Sequence, residues 1–158
     1  MITTRIKIKD HLAEYIRGKY NNCHDGPVNI PSNSDLYVTI WDLMTKRPIN
    51  AGKDEGNLEK ALPSRSHGKK PEYYNYLSKR AAGILEKLIE SMLYAEIHHH
   101  MRTNKRAGLN YLDTVYYFIS EYGITSISED AFIKEYYRLR RNHYNREKRL
   151  TKIARNYG

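Results

Sequence analysis

The sequence predicts a mainly α-helical protein: a helical domain with a long central helix, a small β-ribbon and a helix-turn-helix-like pair at the C-terminal end. Three observations predict it. Apolar residues recur at three and four from Tyr74 to Ala95, which is the spacing of one helix face. Two further stretches of helical period are parted by Gly123, a residue suited to a left-handed helix stop. One stretch near the start, "ITTRIKIK", alternates with the period of two that marks a strand.

The elements follow in order. In "ITTRIKIK", Ile2, Thr4, Ile6 and Ile8 share one face, and Thr3, Arg5, Lys7 and Lys9 share a wet, basic one. Asp10 is placed to cap a short helix with Leu12, Tyr15, Ile16 and Tyr20 at helical spacing. "NNCHDGPVNIPSNS" reads as a loop, with turn chemistry at Asp25-Gly26-Pro27 and a short extended piece at "PVNIP". Ser34 caps the next helix, whose apolar stripe is Leu36, Tyr37, Ile40, Trp41 and Met44. Trp41 reads as a core anchor.

A connection of about 26 residues follows, Thr45 to Lys70, and loops of that length are usually functional or flexible. Inside it "NLEKALP" is a candidate strand to pair with the N-terminal one. Pro71 suits the first turn of the long helix, which runs to Met101 through Tyr74, Leu77, Ala81, Ile84, Leu85, Leu88, Ile89, Met92 and Ala95. Such a helix is about 46 Å long and serves as a core helix or a dimer seam. "RTNKRAGLN" breaks the pattern. Tyr111 to Tyr122 form another helix, with Val115, Phe118, Ile119 and Tyr122 on one face. Ser126 with Glu129 fits a capping box, and Ser128 competes with it. The last helix starts near Glu129 and buries Phe132, Ile133, Tyr136 and Tyr137, after which apolar positions thin to Tyr144, Leu150 and Ile153. Residues 1–108 and 109–158 are the two segments expected, packed as one compact unit.

Composition narrows the function classes. The 158 residues carry 27 lysines and arginines against 18 acids, for a net charge of +9. From Lys134 to Gly158 the cations outnumber the acids by seven, so most of the excess sits in the last 25 residues. That asymmetry suggests a polyanionic partner. Cys23 is the one cysteine, which excludes an intrachain disulfide. No apolar run approaches the roughly 20 residues of a membrane span, and "MITTRIKIKDH" lacks the apolar core of a signal peptide. The expectation is a soluble cytoplasmic protein with no membrane partner.

Four features compete for function. The terminal basic helix comes first, because lysines and arginines spaced along a helix meet successive phosphates and release counterions; a solvated helix end is the plain alternative. The second is the pair "LDTVYYFISEYGITSISEDAFIKEYYRLRR", which has helix-turn-helix order, although two helices joined by a glycine turn occur in any bundle. Together these name Thr125, Ser126, Lys134, Arg138, Arg140, Arg141, Arg146, Lys148 and Arg149 as the nucleic-acid-binding set. Third, Thr3, Arg5 and Lys7 of the opening stretch resemble the base-reading strand of ribbon-helix-helix repressors, but the loop from Asn21 to Asn33 is much longer than that family's turn, and a plain edge strand with charged outer residues is the preferred reading. Fourth, "AEIHHHM" places Glu96 and His99 or His100 at ligand spacing. Consecutive helical residues point about 100° apart, so His98, His99 and His100 cannot all face one ion, and histidines near a helix C-terminus also have an electrostatic reason to be there. No glycine-rich phosphate loop, nucleophile elbow or Ser-His-Asp arrangement stands out, so no catalytic residue and no cofactor are expected.

The combination "GPVNIPSNSDLYVTIWDLM" and "SEYGITSISEDAFIKEYYRLRRNHYNREKR" resembles the Mor-type regulators of Mu-like phages and mobile elements. Those carry a "VYIP" strand before a helix and a "YGV" turn before a basic, tyrosine-containing recognition helix. The matching positions are Val28 to Pro31, Tyr122 to Ile124, and Arg138 to Arg149. The resemblance implies a dimeric, DNA-binding transcription regulator. This sequence has about two extra residues in the turn, and Ile119 stands where the family has a small residue. The expected function is therefore non-enzymatic binding of DNA, duplex rather than RNA, by a homodimer. The alternative is a phage assembly, packaging or recombination accessory protein whose basic tail meets nucleic acid.

Overall fold

The computed structural model describes residues 1–21, 26–64 and 68–157. Among them the chain forms β1 (Thr3–Ile6), α1 (Asp10–Asn21), α2 (Asp35–Leu43), β2 (Leu58–Ala61), α3 (Lys79–Arg106), α4 (Tyr111–Tyr122) and α5 (Glu129–Asn156). The protein is mainly helical with a two-stranded antiparallel ribbon, as its sequence predicts.

β1 and β2 pair with Thr3 opposite Ala61 and Ile6 opposite Leu58. The alternation in β1 holds: Thr4, Ile6 and Ile8 are buried, and Arg5 and Lys7 are exposed. β2 alternates too, so Leu58 and Lys60 face inward. Val28 adds a parallel bridge beside Lys60, its amide donating to Glu59 and its carbonyl accepting from Ala61. The extended reading of "PVNIP" therefore has its partner.

α3 is the axis, and α1, α2, α4 and α5 all pack on it. It begins at Lys79 with Ser78 as cap, eight residues later than Pro71. The cause is a backbone bridge in which Thr45 and Tyr76 exchange both hydrogen bonds at 3.1 and 3.2 Å, holding the preceding segment out of the helix. At the other end α3 runs on past Met101 to Arg106 and stops before Gly108, whose φ of 82° only glycine adopts freely. Its 28 residues span about 42 Å. The buried row is Ala81, Leu85, Ile89, Leu93, Ile97 and Met101, a strict step of four. Ile84 and Ala95, expected inward, are exposed. A step of four drifts around the helix by about 40° per residue pair, so the row meets α2 first and α1, α4 and α5 later.

α4 has its expected bounds, and Gly123 closes it at φ 64°, ψ 35°. Ser128, not Ser126, caps α5, its hydroxyl accepting from the amide of Ala131 at 3.2 Å. Asp10 is the first residue of α1, and its carboxylate accepts from the Asn57 side chain at 2.6 Å instead of capping the helix. Gly18 is required by packing: a Cβ there would lie 2.2 Å from the backbone oxygen of Tyr122, so α1 and α4 touch backbone to backbone. One buried cluster takes in residues from Ile6 to Tyr136 and so joins the two expected segments.

Candidate nucleic-acid interface

α5 is half anchored and half free. Phe132 and Tyr136 are buried, with Phe132 against Phe118 and Tyr136 stacked on Tyr94 and His98. Tyr137, expected inward, is exposed. Every described residue from Arg141 onward is exposed. From Arg141 to Asn156 the helix projects about 24 Å, and among the described residues its one ring contact with the body is His143 edge-on to Tyr94 of α3, centroids 5.8 Å apart.

Helical geometry sorts its charges. At about 100° per residue, Lys134, Arg138, Arg141, Lys148, Arg149, Lys152 and Arg155 share the half of the circumference opposite Tyr136. Arg146 lies on the flank. Arg140 lies on the inner half and faces the end of α3, where it lines one groove with Arg102, Lys105 and Arg106.

Arg138 is taken by its own protein. Its guanidinium donates to both oxygens of Glu135 and, at 3.1 Å, to Glu90 of α3, while Lys9 bonds the same Glu90 oxygen at 3.0 Å. The hydrogen bond from Arg138 is the leading reason the Glu135 carboxyl is held below the usual carboxylate range. Arg138 therefore ties α5 to α3 and α1. Among the described residues, no ion pair involves Lys134, Arg140, Arg141, Arg146, Lys148 or Arg149. Within the tail, among the described residues, His143 lies 3.6 Å from the Glu147 carboxylate.

Thr125 and Ser126 are occupied. Both amides and both hydroxyls donate to the Glu14 carboxylate, at 2.8 to 3.1 Å. Burial alone would raise the Glu14 pKa, but these four bonds overrule it and lower it. They fasten the turn between α4 and α5 to α1. The first turn of α5 carries Glu129 and Asp130, two negative charges at the end that a recognition helix presents to DNA. The ribbon's outer face is likewise internally paired, since Thr3 and Arg5 both donate to Glu59.

The histidine segment serves packing. Glu96 accepts from the Tyr15 and Tyr122 hydroxyls and, at 2.8 Å, from Lys19, which joins α1, α3 and α4. His98 bonds the Tyr136 hydroxyl at 2.7 Å, and His100 packs edge-on against Phe118. No group of three potential metal ligands forms among the described residues. Cys23, His24 and His67 lie outside them.

Arg102, Lys105 and Arg106 are not among the residues expected from the sequence, because "RTNKRAGLN" has no apolar repeat to carry the helix past Met101. Continued at helical spacing, His98, Arg102, Lys105 and Arg106 fall on one face, which was the available signal.

Fold and site thus define a small helical protein that holds out a basic C-terminal helix. Comparison with protein-family models, with curated proteins and with solved structures gave no match. Among the described residues, no helix is long and apolar enough to cross a membrane.

Proposed function

We propose that the protein binds duplex nucleic acid, DNA in the first instance, along the outer face of α5. One observation carries the reading: a stripe of cations from Lys134 to Arg155 in which Arg138 alone has an acidic partner among the described residues. Cations without internal partners and fully hydrated are poised to exchange counterions for phosphates. Affinity comes mainly from backbone contacts, because Thr125 and Ser126 are held by Glu14 and the first turn of α5 is acidic. A regulator's role in a phage or mobile element, acting as a dimer, is the narrower form of the proposal and rests on the Mor-type resemblance.

A second reading, an assembly or packaging protein, is favoured by the apolar side chains of the projecting segment. Tyr144, Leu150, Ile153 and Tyr157 are all more than half exposed. Apolar side chains so placed suit a protein partner.

A salt titration of binding to a duplex tests the first reading. Six phosphate contacts give a log–log slope of about −5. Arg141→Glu with Lys148→Glu, both exposed and unpaired, lowers the affinity at least about tenfold, since each lost phosphate contact also becomes a repulsion. Affinity unchanged in that variant, or a slope near zero, overturns the proposal.

A further inference from the structure

The cations that the outer stripe does not use converge elsewhere. Where α3 ends against α5, a groove of about 340 Å³ is lined by Arg102, Lys105, Arg106 and Arg140, with His98 and Tyr136 in its wall. No carboxylate lines it. Among the described residues, none of the four side chains makes an ion pair or a hydrogen bond; the Lys105 ammonium covers the Tyr111 ring, 5.9 Å from its centroid. A second groove of about 320 Å³ on the neighbouring side shares Arg102, Arg106 and His98. The end of α3 is thus a cationic ridge between two concavities.

One bland cause covers part of this. Cations in the last turn of a helix offset the partial negative charge of its free carbonyls, and Lys105 and Arg106 are in the last turn of α3. That cause fails for Arg140, whose own helix continues to Asn156. Arg140 belongs to another element and points at the same space, so two helices deliver guanidinium groups to one groove. Their forked donors match a tetrahedral oxyanion, each able to give two parallel hydrogen bonds. His98 registers the resulting field. Burial first, then Arg102 and Arg140 from the two sides, and His143 after them, hold its imidazole below the usual histidine range. The Tyr136 hydroxyl fixes its Nδ1.

We infer that the groove between Arg102, Lys105, Arg106 and Arg140 is a phosphate-binding site, distinct from the outer face of α5. Its ligand class is a phosphoryl group carrying at least two negative charges or flanked by another phosphate. Such a group is brought by a nucleic-acid backbone or by a free pyrophosphate-type anion. The site does not depend on the duplex-binding reading.

The experiment follows the His98 imidazole by NMR across a pH titration of the full chain, with the resonance assigned through His98→Gln. With excess pyrophosphate, the His98 pKa rises by about one unit, a tenfold gain in proton affinity, because a bound anion replaces cation repulsion with attraction. Arg102→Gln with Arg140→Gln removes the rise; both side chains are exposed, so packing is unaffected. Arg141→Gln with Lys148→Gln, on the outer face, leaves it in place. An unmoved pKa, or an equal rise in the Arg102/Arg140 variant, overturns the inference. A short duplex is the second arm. If it displaces pyrophosphate and raises the His98 pKa itself, the backbone supplies the phosphate. If pyrophosphate alone raises it, the site is for a free anion. A duplex that binds nowhere while pyrophosphate still raises the His98 pKa refutes the outer-face reading and leaves this one standing.

Discussion

Replacing Lys60 by methionine stabilises the protein. Lys60 sits on β2 with its side chain in the core, 1% exposed, and its Nζ has no hydrogen-bond partner. The void beside it is about 10 Å³ and is walled by aliphatic side chains, including Ile6, Ile30, Leu36 and Leu85. Burial pushes its pKa down from 10.5 to about 7. At about 1.4 kcal/mol per pK unit, keeping this amine uncharged, or charged without water, costs about 4 kcal/mol at neutral pH. The direction follows from proton counts. Below about pH 7 both folded and unfolded chains hold the proton, and the cost is full. Between about 7 and 10.5 the unfolded chain holds a proton that the folded chain has lost, so stability rises with pH. Above that window both are neutral. Methionine has nearly the same length and no charge, and allowing about 1 kcal/mol for imperfect fit leaves a gain of about 3 kcal/mol at neutral pH. In a chain of this size that raises Tm by about 10 °C. Urea unfolding of both proteins across the window measures it, and the difference between them isolates Lys60 from other titrating groups. Equal stability at neutral pH, or a difference that does not shrink as pH rises, refutes the reasoning.

Three other outcomes are expected. Gly18→Ala forces α1 off α4, since its Cβ meets the Tyr122 backbone at 2.2 Å; a loss of about 2 kcal/mol or more in denaturant unfolding is expected. Glu14→Ala frees four donors at the α4–α5 turn and costs about 2 kcal/mol; because the Glu14 pKa is lowered, the contribution is present above the unfolded carboxylate pKa and fades as pH falls through the folded value, so variant and wild type converge in acid. Arg138→Glu places a third acid beside Glu90 and Glu135 and lowers stability as well as binding, whereas Arg141→Glu lowers binding alone; thermal unfolding with a duplex-binding assay separates the two.

Much of the fold was legible because periodicity and cap chemistry are local. Tyr111–Tyr122, Gly123 and the Ser34 cap need only neighbouring residues, and they fell where expected. The pairing of "NLEKALP" with the opening strand was legible from alternation. What failed was decided at long range. The start of α3 depends on Thr45 holding Tyr76 across the chain. The inward face of β2 is fixed by its register with β1, which puts a lysine into the core against its preference. In the candidate interface, charge density was readable from composition, but pairing was not. Nothing near Arg138 in sequence announces Glu90, and nothing near Ser126 announces Glu14.

The division of α5 into mount and arm has an energetic consequence. Its first turns are set by Phe132, Tyr136 and the bridge from Arg138 to Glu90. Beyond Arg141 the helix has the ring contact of His143 with Tyr94 near its base and otherwise its own propensity, and an isolated segment of about 16 residues is marginal in water. Its charges add to the difficulty. Lys148 and Lys152 stand four apart, and Arg149, Lys152 and Arg155 stand three apart, with each like-charged pair opposing the helix by about 0.2–0.5 kcal/mol. Neutralisation within the chain, as at Arg138, would relieve that repulsion and also remove the positive face. A row of phosphates relieves it while keeping the face in use. Under the proposed function, ordering of the arm and binding of a polyanion are then one linked equilibrium, and the pattern that weakens the free helix is the pattern that couples it to its partner.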